Sequence, residues 1–164
     1  MTHMTKAAAI ILVILAGLCV QIIFAFADAK DTPQRAVVEF SKAFFQLDKS
    51  MAARMCSNVL KSDDVDVVDD YLYQVRKEAQ ERGFNTKFMK NKFYHIETET
   101  ISQDDKNAKI RITGKRRISI NPVYADFATL FNLNKAHEVD ATFDVVLENG
   151  KWKVCGDLFS LVAL

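Results

Sequence analysis

The sequence predicts an α+β domain in which three helices come first and pack on a curved antiparallel sheet that follows. Three observations carry this. Apolar residues recur at helical spacing between Thr32 and Arg82, the period changes to two from Lys92, and Asn149-Gly150 offers a two-residue hairpin turn near the C-terminus. An uncharged apolar stretch, predicted as a helix of its own, precedes the domain.

That stretch runs from Ala7 to Ala27 without a charge, with Gln21 as its one polar interruption and Lys6 just before it. Ala25-Phe26-Ala27 and Ala27-Asp28-Ala29 both fit an A-x-A cleavage site. The run exceeds the roughly 7–15 apolar residues of a signal peptide and reaches the roughly 20 that span a bilayer. Residues 1–29 are therefore expected to be either a cleaved signal peptide or a retained signal-anchor transmembrane helix, with residues 30–164 forming the domain. Either way Asp28 onward lies outside the cytoplasm, in the periplasm, free or held at the inner membrane. Leu15-Ala16-Gly17-Leu18-Cys19 resembles a lipobox, but Leu18 stands where a small residue belongs, which argues against lipidation.

Lys6 is the one formally charged side chain before Asp28, and the totals are 22 basic and 21 acidic residues, so the domain itself is balanced. Such a surface gives no reason to expect nucleic acid as a partner. Apart from Cys19 there are two cysteines, Cys56 and Cys155, too few for a disulfide framework and not spaced as metal ligands.

Thr32-Pro33 opens the first helix as N-cap and N1, and Val37, Phe40, Phe44 and Leu47 make its apolar face. A second short helix is expected to carry Met51, Ala52, Met55 and Cys56. A third, from about Asp66 to Arg82, puts Val68, Tyr71, Leu72, Val75 and Ala79 on one stripe. It has acids in its first turn, bases toward its end and Gly83 at C′.

In the first strand Tyr94, Ile96 and Thr98 are expected to face inward, and His95, Glu97 and Glu99 outward. After the polar turn from Gln103 to Asn107, Ile110, Ile112, Ile118 and Ile120 share the inner face of the second strand, opposite Lys109, Arg111, Lys115 and Arg117. Arg116 also has inner parity, though Gly114 predicts a bulge or bend that could turn it out. The third strand turns Val139, Ala141, Phe143, Val145 and Leu147 inward, and Glu138, Asp140, Asp144 and Glu148 outward. The hairpin then pairs Leu147 with Trp152 and Val145 with Val154. By that register Cys155 lies on the polar face while Cys56 sits on a helix covering the apolar one. A Cys56–Cys155 disulfide is thus disfavoured unless a bulge at Gly156 reverses the geometry.

The helix opened by Thr32-Pro33 and ending Phe44-Phe45-Gln46-Leu47-Asp48, the following Met51-Ala52-Ala53, and the closing Glu148-Asn149-Gly150-Lys151-Trp152-Lys153-Val154 resemble the NTF2-like superfamily. The stretch from Thr32 to Asp157 is similar to its exported bacterial branch, the lumazine-binding-like or DUF4878-type domains. The resemblance implies a cone with a pocket between sheet and helices, and frequent homodimers through the sheet. It implies no single activity, since members of this fold include isomerases, dehydratases, hydrolases and non-catalytic modules.

Catalysis in such a cone needs inward titratable groups. Strand parity places no carboxylate or histidine inside, and no phosphate loop, dinucleotide fingerprint or metal-binding motif occurs. No catalytic residue, metal or cofactor is therefore expected. The ligand-pocket candidates are Tyr94, Thr98, Phe143 and Trp152. Between Asn121 and His137, Val123, Tyr124, Phe127, Leu130 and Phe131 are candidate partner contacts, either closing the cone or forming an exposed apolar lip. Asp126 and His137 flank them as the one conceivable acid–base pair. The expected function is that of a non-catalytic extracytoplasmic module that binds a protein partner or assembles an envelope complex. The alternatives are a carrier or sensor of a small apolar ligand, and an isomerase- or dehydratase-type enzyme. Expected partners are a protein or a second copy through the sheet, and the membrane through residues 7–27 if these are uncleaved.

Overall fold

A computed structural model describes residues 11–21, 30–62, 65–83, 85–118, 135–156 and 161. The chain divides into two units, Met1–Asp31 and Thr32–Leu164. In the first, residues 11–21 are helical, and Ile11, Leu12, Val13, Ile14, Leu15, Leu18 and Val20 are exposed. Among the described residues no helix is long and apolar enough to cross a membrane. The remainder of the stretch from Ala7 to Ala27 lies outside the described residues.

The second unit opens with helix α1, Pro33–Phe45. Thr32 caps it from an extended conformation, and its hydroxyl accepts from the Arg35 N–H at 3.2 Å. Ala36, Val37, Phe40, Phe44 and Phe45 form the buried face. A 3-10 turn, Lys49–Arg54, follows behind an Asp48 cap and buries Met51. The expected second helix stops there. The chain becomes extended at Met55, and a single helical turn, α2, spans Ser57–Leu60. Two-residue strands β1 (Lys61–Ser62) and β2 (Val65–Asp66) pair antiparallel. Helix α3, Val67–Glu81, is capped by the Asp66 carboxylate, which accepts from the Val68 and Asp69 N–H groups. Arg82 closes it, and Gly83 takes the left-handed φ of 71° expected at C′.

The main sheet runs β3 (Asn91–Gln103), β4 (Asn107–Ile118), β5 (His137–Glu148) and β6 (Lys151–Cys155), antiparallel and in chain order. The β5–β6 hairpin has the expected register: Glu148 faces Lys151, Leu147 Trp152 and Val145 Val154. Asn149 and Gly150 carry the positive φ values, 51° and 74°, that such a turn demands. Ile110 and Ile112 on β4, with Val139, Ala141, Phe143 and Val145 on β5, are buried against the helices. This is the α+β architecture expected of an NTF2-like domain, with N-terminal helices packed on a four-stranded antiparallel sheet.

The parity of β3 needs correcting. Tyr94 pairs with Lys115 and Glu97 with Thr113, so β3 carries an extra residue between them, and His95 there has a φ of 49°. Phe93, not Tyr94, takes the inner position before this bulge and is buried. The bulge expected at Gly114 thus belongs to the neighbouring strand. Gly114 answers it by leaving room for the Phe93 ring, whose nearest carbon would lie 2.6 Å from a Cβ at that position.

The disulfide is the second correction. Cys56 and Cys155 are joined, with Cα atoms 5.2 Å apart. Cys56 is not on a helix over the inner face. Met55 forms a parallel bridge with Val154, and the Cys56 N–H donates to the Val154 carbonyl at 2.9 Å. The segment thus runs along the free edge of β6, where Cys155 meets Cys56 side by side. A bond between these residues is consistent with an extracytoplasmic location.

Candidate functional site

The interior between sheet and helices is filled from both sides. Phe40 on α1 meets Phe143 on β5 edge to face at 5.7 Å, and Phe44 stacks on Tyr71 of α3 at 5.1 Å. Between them lies a cavity of about 10 Å³ lined by Phe40, Phe44, Met51, Met55, Val67, Val68 and Tyr71. That is about the space of one water molecule. A wider hollow of about 490 Å³ lies around the β3–β4 turn, between Ser102, Asp104, Lys109, Asp144 and their neighbours. Its carboxylates are engaged: Asp104 accepts from the Lys106 and Asn107 N–H groups, and Asp144 pairs with Lys109 at 3.5 Å.

Among the described residues, Arg116 on β4 and Tyr71 on α3 are ionisable side chains at the junction of sheet and helices without being fully buried. Arg116 keeps the inner parity that the strand pattern assigned it, and its guanidinium lies 5.8 Å from the centre of the Phe45 ring. Tyr71 is the other. Burial pushes its phenol up to about 12, with Glu78 adding to the shift and the positive charge of Arg116 opposing it. The phenol therefore stays protonated at neutral pH and can donate a hydrogen bond, but it is no base. Helical spacing makes Tyr71 a member of an apolar stripe, and nothing in the sequence sets its ring beside a cation on a strand 45 residues later.

The predicted pocket residues do not converge. Phe143 and Trp152 are core side chains, at 1% and 8% exposure. Thr98 lies opposite Ile112 but is exposed. Tyr94 sits on the outer face, its ring 5.4 Å from the guanidinium carbon of Arg117 and 5.0 Å from the His95 ring. Val123, Tyr124, Phe127, Leu130 and Phe131, together with Asp126, lie outside the described residues, and His137 is exposed at the start of β5. Among the described residues no group of acids, histidines and cysteines could hold a metal ion.

The outer face carries the expected charge ladder. Arg111 on β4 grips Asp140 on β5 through two hydrogen bonds, at 2.9 and 2.5 Å, and approaches Glu99 on β3 at 3.7 Å. The hydrogen bond from Arg111 holds the Asp140 carboxyl below its ordinary range. The basic stripe is not matched along its whole length: Lys92 faces Arg117 directly across β3 and β4.

No family model matches the chain. No curated protein matches it either. Among solved structures it is similar to the "Putative NTF2-like transpeptidase" from Campylobacter jejuni, with 21% sequence identity, a TM-score of 0.47, and coverage of 77% of this chain and 100% of that one.

Proposed function

We propose that this chain is a non-catalytic extracytoplasmic module with an NTF2-like fold, of the exported lumazine-binding-like type, that works by binding a protein partner in an envelope complex. Residues 7–27 either carry it to the periplasm and are removed or hold it at the inner membrane. The observation that carries this reading is the filled interior. Ligand pockets occupy roughly 300–1,000 Å³, whereas the cavity between helices and sheet among the described residues holds about 10 Å³. Recognition is thereby moved to the surface. The inward groups support the same reading: a protonated phenol and a guanidinium supply no general base, and no carboxylate or histidine is buried beside them among the described residues.

The test is recovery of the full chain from detergent-solubilised, crosslinked membranes. A defined protein partner in stoichiometric amount is the expected result, and a solitary monomer under every condition refutes it. Native mass spectrometry of the same preparation checks the small-ligand alternative, and a bound apolar molecule would favour that reading instead.

A further inference from the structure

We propose that the corner of the outer sheet face formed by Lys92, Tyr94, His95, Lys115 and Arg117 docks an acidic segment of a partner protein. This names the partner class for the binding reading above and rests on it. On this face Arg111 is set against Asp140 and Glu99, and Lys109 against Asp144. At the corner two bases meet instead. Lys92 is directly opposite Arg117, an arrangement that costs stability, and Lys115, the next residue of the same face, has Glu138 opposite it on β5. Among the described residues Lys92, Lys115 and Arg117 form no ion pair, and all three are exposed.

The arrangement is ordered as well as charged. The Arg117 guanidinium lies over the half-buried Tyr94 ring, which in turn is held edge-on by His95. Stacking fixes the plane of a guanidinium and leaves the N–H donors at its rim for a carboxylate, which they can engage in bidentate fashion. The β3 bulge at His95 is what brings Tyr94 outward to serve as this support.

The rest of the face selects among anionic partners. Glu97, Glu99, Glu138, Asp140 and Asp144 are exposed on it. A uniformly anionic bilayer would press its charge against those acids, whereas a polypeptide can place carboxylates at the corner alone. A second copy is less suited than a separate acidic segment, because it brings its own Lys92, Lys115 and Arg117 along with the acids of the same face.

The experiment titrates a short fluorescein-labelled peptide of alternating Glu and Gly against the full chain in nanodiscs of zwitterionic phosphatidylcholine. Saturable binding that weakens as salt is raised is expected. Arg117→Glu should weaken it by about tenfold or more, Arg117→Lys by less, and Lys106→Glu, at the far turn of the sheet, hardly at all. The proposal is overturned if the peptide does not bind or if Arg117→Glu and Lys106→Glu act alike. It is equally overturned if the chain ignores the peptide but binds phosphatidylglycerol nanodiscs, or if Arg117→Glu merely converts a dimer to a monomer in sedimentation. A partner retained by Arg117→Glu in the crosslinking experiment sinks the corner while leaving the binding reading intact.

Discussion

At the residue scale, one pair of side chains sets how the first strand of the sheet is read. Phe93 occupies the space that a Cβ on Gly114 would need, with Phe93 carbons 2.6 and 2.8 Å from that position. The approach is to a ring that is itself held against Phe45 at 5.0 Å, so it cannot simply swing away. Gly114→Ala should therefore destabilise the fold by about 1–3 kcal/mol through overpacking. Chemical denaturation measures this, and an unchanged midpoint would show that the ring has room to move. Gly114→Ala with Phe93→Leu should recover part of the loss. A glycine in a strand advertises close approach or a bulge, and that much was legible. The partner strand holds the bulge at His95, a non-glycine residue with φ of 49°, and no turn-forming residue marks it. Alternation alone thus put Tyr94 inside and left out Phe93, which precedes it by one.

At the element scale, the segment from Arg54 to Ser57 closes one edge of the sheet. Arg54 donates to Glu39 on α1 at 2.7 Å and to the Trp152 carbonyl at 3.4 Å, while Ser57 N–H donates to the Glu148 carboxylate at 3.2 Å. The Lys153 ammonium reaches back to the Ala53 carbonyl. The disulfide fastens this strap across a sequence separation of 99 residues. Closing so long a loop limits the unfolded chain, so Cys56→Ser with Cys155→Ser should cost roughly 2–5 kcal/mol. The fold should survive, because the hydrogen bonds of the strap remain. Thermal melts with and without reductant should lower the wild type and leave the double variant unmoved, and identical melts would mean that the bond contributes nothing. Local chemistry explains what was readable here. Asn149-Gly150 specifies its hairpin within a few residues, and Thr32-Pro33 and Asp66 cap their helices on the spot. The strap was not readable, because face-and-parity reasoning has no rule for a segment that leaves a 3-10 turn and lies beside an edge.

At the scale of the whole molecule, the helix-first, sheet-second order was legible because each periodicity dominates its own part of the chain, whereas the filling of the interior depends on how rings from three elements meet. Phe40 and Phe44 of α1, Tyr71 of α3 and Phe143 of β5 are each ordinary core residues, and their convergence fills the interior among the described residues. The same convergence of elements governs the response to acid. Glu39 on α1 joins Arg35 of its own helix to Arg54 of the 3-10 turn. Burial alone would raise its pKa, but the hydrogen bonds from Arg35 and Arg54 and their positive charges outweigh that and hold it below the usual carboxylate value. Asp48, Asp104 and Asp140 are lowered too, Asp48 and Asp104 by backbone N–H groups and Asp140 by Arg111. A carboxylate whose folded pKa lies below its unfolded one contributes stability above the unfolded pKa, and loses it as the pH falls through the folded value. Stability should therefore be level from neutral pH to about pH 5 and decline below about pH 4. Solvent reaches 41% of the Glu39 side chain, so Glu39→Gln should cost no more than about 1 kcal/mol at pH 7. The telling quantity is the gap between wild type and variant across a pH series of thermal melts. Protonation removes from the wild type the charge that the variant already lacks, so the two should converge under acid conditions. A gap that stays constant down to pH 3 would mean that Glu39 acts through packing rather than through its charge.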